Sequence, residues 1–162
     1  NKMAIHKLII DDCEEASYEL LAIHTSLEDY RLAYFINQKL PVLFSKSEKQ
    51  IQVISKAGKI NFSKYSYSNT EKEEYWDLIQ NKNEIIIQKK LTTQNLFDND
   101  AYEETTTTYL VPEFKKVDYF IKIENSEIDI ESILTKINTI ERISTVYTVD
   151  LDKIKSKNNL IF

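Results

Sequence analysis

Two carboxylates lie five residues apart in a short segment that also contains a proline, and they are the first candidates for chemistry. The segment, residues 111–119, reads Val-Pro-Glu-Phe-Lys-Lys-Val-Asp-Tyr, and its carboxylates are Glu113 and Asp118. Two neighbouring carboxyl groups can divide the roles of general acid and general base when their surroundings push their pKa values apart. Such residues also cap turns and neutralise cations, so a structural role for both is the competing interpretation.

Arg31 is the second candidate, because it stands in an otherwise apolar stretch that reads as a helix. A guanidinium group is the cation best suited to a partly buried, two-pronged contact with a carboxylate. We therefore expect Arg31 to pair with Asp118 or Glu113 and to fix the first helix to the C-terminal sheet. The alternative is that Arg31 holds an anionic ligand.

His24 is the third candidate, at the end of a predicted buried strand and just before a helix N-terminus. Anions bind readily at helix N-termini, and a histidine there can act as a base or a metal ligand. His6 is the only other histidine, which makes a metal site improbable. We expect His24 to form a local hydrogen bond.

Several site types are not predicted. The chain has one glycine, Gly58, whereas phosphate-binding loops, dinucleotide fingerprints and nucleophile elbows each need more. Its one cysteine, Cys13, is flanked by acidic residues, which raise the pKa of a thiol and argue against a nucleophile. We therefore expect no cofactor and no metal.

Length and charge narrow the classes further. The chain of 162 residues fits one domain, 1–162, and carries a net charge of −5 with two arginines, Arg31 and Arg142. This balance disfavours a nonspecific hold on nucleic acid. Base stacking nevertheless stays a third hypothesis, on a group of aromatic residues with two nearby lysines: Tyr65, Tyr67, Tyr75, Trp76, Lys64 and Lys72. The chain has no apolar run of membrane-spanning length and no signal pattern, so we expect a cytoplasmic location and no membrane contact.

The elements that must position these residues begin with a strand and a helix. Residues 18–25 form an apolar run typical of a buried strand, and a helix is predicted over 27–40. Ser26 is the predicted cap of this helix, and Pro41 ends it. Because apolar residues lie around most of its circumference, we expect the helix to be covered on more than one side.

The middle of the chain is predicted to be rich in strands. Residues 50–56 and 59–68 flank Gly58 as a hairpin, with a bulge near Ser63. Residues 75–80 and 84–89 are predicted to form a second hairpin. Polar turns or loops are expected at 45–49, 81–83 and 98–100, and 91–104 reads as irregular. The β-branched run 105–108 that follows suits a strand entrance.

The last third predicts a strand at 117–124, a helix at 130–140 and a strand at 143–149. The two strands of such a unit should run parallel, with a right-handed crossover. Taken together, the elements predict an α+β fold: a two-layer sandwich with a largely antiparallel sheet, two main helices and a C-terminal β-α-β unit. The apolar ending Leu160-Ile-Phe162 predicts a tail that is docked on the sheet or on a partner.

Residues 111–119 resemble the pattern that names the IPExxxVDY family of small bacterial proteins. Val111-Pro112-Glu113 is followed at the required spacing by Val117-Asp118-Tyr119, with Val111 in place of isoleucine. Residues 23–37 and 155–162 are similar to the same family. The resemblance implies a small intracellular bacterial protein, and it implies no reaction, substrate or functional residue.

These observations favour a non-enzymatic binding or adaptor module, with a protein partner or a second copy that pairs through an exposed sheet edge. The alternative is a small enzyme that uses Glu113 and Asp118 with Arg31, and nucleic-acid binding comes third. The first two differ in one geometric respect. An enzyme requires Glu113, Asp118 and Arg31 to converge on a cleft that solvent reaches.

Overall fold

The computed structural model of the chain describes residues 18–56, 58–90 and 101–162. The predictions made for Cys13, for the turn at 98–100 and for the irregular stretch 91–100 lie outside these residues. The described part contains ten strands and two α-helices in a mostly antiparallel arrangement. The α+β fold predicted from the sequence is confirmed.

Six strands form the main sheet. Their bounds are β1 Tyr18–Thr25, β2 Ser45–Lys46, β5 Lys64–Asn69, β6 Glu74–Gln80, β9 Tyr119–Glu124 and β10 Ile143–Thr148. The order across the sheet is β10-β1-β9-β6-β5-β2, and every neighbouring pair is antiparallel. Because β9 and β10 both run antiparallel to β1, they run parallel to each other, as predicted, with β1 between them.

Four further strands form two separate hairpins. Strands β3 (Ile51–Ser55) and β4 (Gly58–Phe62) pair with each other, and β7 (Lys82–Lys90) pairs with β8 (Ala101–Tyr109). The predicted pairing of 75–80 with 84–89 is therefore wrong. Strand β6 already has neighbours on both sides, β5 and β9, so no free edge remains for β7.

Four local predictions in the middle of the chain need correction. The bulge expected near Ser63 is a break, because β4 ends at Phe62 and β5 begins at Lys64 in a different sheet. Residues 101–104, expected to be irregular, belong to β8. Two stretches expected to lie in turns belong to strands: Ser45 and Lys46 form the short edge strand β2, and Lys82 and Asn83 begin β7.

Two helices cover one face of the main sheet. Helix α1 spans Asp29–Lys39 and helix α2 spans Ile130–Asn138. In α2 the predicted spacing holds, since Ile133 and Ile137 are buried. In α1 only Leu32, Ala33 and Ile36 are buried, so the expectation that this helix is covered on more than one side is wrong.

The start of α1 also differs from the prediction. Glu28 occupies the cap position and forms no side-chain capping hydrogen bond, so Ser26 is not the cap. Instead, the hydroxyl of Thr25 accepts a hydrogen bond from the Leu27 N–H at 3.2 Å. Thr25 thus satisfies a backbone donor in the loop before the helix. The sequence pattern assigned the capping role to Ser26 instead.

The sheet is buried on both faces. On the helix face, Leu21, Trp76, Leu78 and Ile121 pack with residues of α1 and α2. On the opposite face, Leu20, Phe120 and Ile79 pack against the β3–β4 hairpin, the segment around Val111 and the C-terminal residues Ile154 and Leu160. Packing on each face removes apolar surface from water. Adjacent residues of β1 and of β9 point to opposite faces of the sheet, because side chains alternate along a strand.

Candidate functional site

The structure gives the four sequence candidates separate partners. Arg31 makes an ion pair with Glu28 one helical turn away, with Nε and Oε2 3.6 Å apart, and both side chains are about half exposed. The expected pairing of Arg31 with Asp118 or Glu113 is therefore wrong. The partner sits three residues earlier on the same helix, where neighbouring side chains meet without any tertiary contact.

The two carboxylates of the signature segment, residues 111–119, also contact different residues. Glu113 lies in a short 3-10 turn, Pro112–Phe114, where its Oε2 accepts a hydrogen bond from the Ser156 hydroxyl at 2.6 Å. Asp118 is three-quarters buried and pairs with the Lys82 ammonium group at 2.9 Å. Its second oxygen accepts a hydrogen bond from the Thr25 N–H at 2.9 Å. Each carboxylate is therefore engaged with a partner of its own.

His24 forms a hydrogen bond, but its partner lies on the neighbouring strand β10, whereas we expected a partner close to it in sequence. Its Nε2 lies 3.0 Å from the Tyr147 hydroxyl, and the two rings are 5.5 Å apart between centroids. His24 and Glu113 line one shallow depression, together with Pro112, Phe114 and Tyr147. Arg31 and Asp118 do not line it. The depression therefore gathers two of the four candidates, without the guanidinium group that the enzyme hypothesis requires.

The residues proposed for base stacking are mostly unavailable. Trp76 is fully buried on the helix face, where its indole N–H donates to Glu74 at 2.8 Å, and Tyr65 is buried beside it. Lys72 pairs with Glu127 at 3.3 Å, and Lys64 lies over the ring of Phe162 at 4.6 Å. The geometry therefore gives no support to a stacking surface on these residues.

An apolar groove beside α1 brings Arg31 together with residues that the sequence did not single out as a site. This groove, which we call the aromatic groove, has a volume of about 620 Å³. Its lining combines three aromatic rings with both arginines of the chain: Leu27, Tyr30, Arg31, Tyr34, Phe35, Glu141 and Arg142. Tyr30 and Tyr34 are 56% and 58% exposed, one turn apart on the helix. The apolar residues around α1, which predicted burial on several sides, supply this open surface instead.

The signature segment holds the wall of the aromatic groove in place. Asp118 binds the Thr25 N–H, and the Thr25 hydroxyl donates to the Arg142 carbonyl at 2.7 Å. Arg142 adopts the left-handed backbone conformation, with φ 72°, which is uncommon for residues other than glycine. The contact from Thr25 therefore fixes a strained turn at the rim of the groove, and strain of this kind clusters at functional sites.

Tyr119 also stabilises this wall of the aromatic groove, through a buried hydrogen bond. Its buried hydroxyl donates to the carbonyl of Leu27 at 2.8 Å, and Leu27 lines the aromatic groove. Burial raises the pKa of Tyr119 well above its usual value, and the negative charges of Asp29 and Asp118 raise it further. The phenol therefore stays protonated and remains a hydrogen-bond donor at any physiological pH.

Asn81 anchors the other end of the signature segment. This side chain is fully buried, and its amide donates to the carbonyls of Phe114 and Val117 at 2.9 and 2.7 Å. Its carbonyl oxygen accepts from the Val111 N–H at 2.9 Å. Sequence reasoning placed Asn81 in a turn, because a single asparagine gives no sign that all its polar atoms will be bonded in a core.

The C-terminal tail covers a polar cluster on the face opposite the helices. Lys122 is nearly buried, donates to the Leu160 carbonyl at 2.9 Å and lies 3.3 Å from Glu124. Its ammonium group also lies 4.8 Å from the centroid of the Phe162 ring. The predicted docking of the tail is confirmed for Leu160, which is fully buried, whereas most of Ile161 is exposed.

Within the described residues, no group of three or more His, Cys, Asp and Glu side chains is arranged to hold a metal ion. Among the helices of the same residues, none has the length and apolar character needed to cross a membrane. Comparison with family models, with curated proteins and with solved structures finds no match. The resemblance to the IPExxxVDY family therefore stays a prediction.

Proposed function

We propose that this chain is a non-enzymatic binding module that holds a segment of a partner protein in the aromatic groove. One observation carries the proposal. Both arginines of the chain meet three aromatic side chains in this groove, and the signature segment fixes its wall through Asp118 and Tyr119. Aromatic residues and arginine are the residue types enriched at the energetic centres of protein interfaces.

The charges of the groove indicate the chemistry of its partner. Arg31 and Arg142 bring two positive charges and Glu141 one negative charge, and Arg31 already pairs with Glu28, in a chain whose net charge is −5. The guanidinium group of Arg142 makes no ion pair with any residue of the described part. Carboxylates match guanidinium groups in charge and in geometry. We therefore propose an acidic segment that carries a bulky apolar side chain for the tyrosine-lined floor.

The separation of the sequence candidates supports a binding role over an enzymatic one. Glu113 is bonded to Ser156, Asp118 to Lys82 and Thr25, and Arg31 to Glu28. A carboxylate pair that divides acid and base roles needs both groups within reach of one substrate atom. The three groups have separate structural partners, so the enzyme remains the less favoured alternative.

The broader setting is also a proposal. We propose that the chain is a cytoplasmic bacterial protein of the IPExxxVDY family, supported by the spacing of Val111-Pro112-Glu113 and Val117-Asp118-Tyr119. The single cysteine fits a reducing compartment. Self-association through a sheet edge belongs to the same proposal.

Selection from a random peptide library, followed by affinity measurements, tests the groove. Selected sequences should combine Asp or Glu with an aromatic or large aliphatic residue. Tyr34→Ala and Arg31→Met should each weaken the binding of a selected peptide by roughly tenfold, about 1.4 kcal/mol. Because both side chains are about half exposed, the melting temperature should hardly change.

Two matched controls lie outside the groove. Tyr75 is an exposed tyrosine on β6, and Lys72 is an exposed cation in an ion pair. Tyr75→Ala and Lys72→Met should leave the affinity unchanged. Equal losses in the controls, or a library that yields no acidic apolar sequences, would contradict the proposal.

A further inference from the structure

Strand β10 forms one edge of the main sheet, and no described strand lies beyond it. The opposite edge is β2, which has two residues, one of them Lys46. Short strands and lysine are the usual means by which proteins prevent pairing at an edge. Strand β10 has six residues, Ile-Ser-Thr-Val-Tyr-Thr, without charge or proline. The two edges therefore differ in kind, and only β10 is suited to accept another strand.

The pairing of β10 with β1 shows which backbone groups point outward. The Val149 N–H donates to the Leu20 carbonyl at 2.8 Å, and in the same register Tyr147 lies opposite Ala22. Hydrogen-bonded pairs alternate with non-bonded pairs along an antiparallel ladder. Tyr147 therefore points its backbone groups toward β1, whereas Val146 and Thr148 point theirs away from the sheet.

A regular partner strand must satisfy both outward positions at once. The register of β10 shifts between Ile143 and Thr145, so Ser144 lies in a bulge and makes a poor pairing position. One antiparallel register of β10 with a second β10 places Val146 opposite Thr148 twice. In that register Tyr147 faces Tyr147 of the partner subunit across the twofold axis. It forms four backbone hydrogen bonds without using the bulge.

We propose that two copies of this chain pair through β10 in this register and form one continuous twelve-stranded sheet. A twofold axis makes the contact self-complementary, as the commonest protein dimers require. The two tyrosines form a non-bonded cross-strand pair, in which side chains approach closely and aromatic pairs are favourable.

Charges at the ends of β10 favour a second copy over an arbitrary strand. Antiparallel pairing brings the start of one β10 to the end of the other. The start carries Arg142, whose guanidinium group has no ion partner in the described part, and the end is followed by Asp150 and Asp152. These opposite charges approach each other at both ends of the contact without a defined pair, because Asp152 lies in the 3-10 turn Leu151–Lys153, beyond the end of β10.

Cysteine cross-linking tests the register. In a Cys13→Ser background, which removes the only native cysteine, Tyr147→Cys should form a disulfide-linked dimer under mild oxidation. The two Cα atoms of a non-bonded pair lie about 4.5 Å apart, within the range of a disulfide. The matched control is Ser45→Cys, an exposed residue on the opposite edge strand β2, which should cross-link at least tenfold more slowly.

A proline substitution separates the edge contact from the fold. The outward N–H of Thr148 has no role in pairing with β1, so Thr148→Pro should leave the melting temperature nearly unchanged. It should convert the dimer, with twice the 19.1 kDa mass of the chain, to a monomer in sedimentation experiments. Tyr147→Pro, which removes an inward donor, should instead unfold the edge of the sheet.

Three results would overturn the proposal. They are a monomeric wild-type chain at high micromolar concentration, a dimer that survives Thr148→Pro, and equal cross-linking of the two cysteine variants. Protection of the Val146 and Thr148 amides from hydrogen exchange in a monomer would show that residues of the same chain cover the edge. The inference depends only on the proposed self-association, and the peptide assay of the aromatic groove can fail without affecting it.

Discussion

Replacing Asn81 with alanine is expected to lower the free energy of unfolding by about 4 kcal/mol, because two buried backbone groups lose their partner. These groups are the Val111 N–H and the Val117 carbonyl, both in residues with almost no exposure. The Phe114 carbonyl keeps a second hydrogen bond, from the Val117 N–H at 3.1 Å, and adds less. Each unsatisfied buried group costs about 1–3 kcal/mol, which gives this magnitude.

Urea unfolding measures the effect directly. With a slope of about 2.5 kcal/mol per molar, the midpoint should fall by roughly 1.5 M. Asn81→Asp should cost at least as much, because a carboxylate would face the two carbonyl oxygens that the amide now binds. Asn83→Ala is the matched control, since Asn83 donates one exposed hydrogen bond to the Asn61 carbonyl. It should cost about 1 kcal/mol or less.

If Asn81→Ala and Asn83→Ala shifted the midpoint equally, the buried amide would not be what holds the signature segment. The protein would then tolerate or hydrate the orphaned groups, and the link from this segment to the aromatic groove would lose its foundation.

Two further predictions concern the face opposite the helices. Deleting residues 160–162 removes the buried Leu160 side chain and the acceptor of Lys122, so the melting temperature should fall by roughly 5–10 °C in a thermal scan; no change would show that the tail is not part of the core. Burial raises the pKa of the Asp77 carboxyl above its ordinary 3.8, and this effect exceeds the lowering by Ser66 and the nearby lysines. The folded protein therefore binds a proton at Asp77 more tightly than the unfolded chain does. The contribution of Asp77 to stability is therefore most favourable below pH 3.8 and declines as the pH rises through the folded pKa. Asp77→Asn should gain stability relative to wild type between about pH 3 and pH 7 in urea unfolding, and a constant difference would contradict this cause.

The sequence correctly predicted those elements whose hydrophobic pattern fits only one type of secondary structure. Strand β1 was found with its bounds because an apolar run of eight residues, ended by a helix start, fits a buried strand. Alternation located β9, and helical spacing located α2. The parallel direction of β9 and β10 followed from the helix between them.

The pairing of the middle strands could not be predicted in the same way. Strands β6 and β7 are neighbours in sequence and separated by one residue, which favours a hairpin on local grounds. The residue between them, Asn81, forms hydrogen bonds with residues 30 or more positions later, and β6 instead pairs with β5 and β9. Long-range satisfaction of one buried amide leaves no local signal.

The site was missed for a related reason. The sequence shows that apolar residues lie around most of α1. The same sequence pattern fits a helix buried on several sides and a helix that leaves an apolar surface open. Arg31 was identified, yet its neighbour in the groove, Arg142, lies 111 positions later in a turn with an unusual backbone conformation. The sign that could have found the groove is the scarcity of arginine itself, since two arginines in a lysine-rich chain invite the question of whether they meet.

Amide chemical-shift changes on adding a selected acidic peptide locate its binding site on the protein. The largest changes should fall on residues 27–35 and on Glu141 and Arg142, the two walls of the aromatic groove. Changes centred on His24 and the Pro112–Phe114 turn, with the groove unaffected, would show that the peptide binds elsewhere.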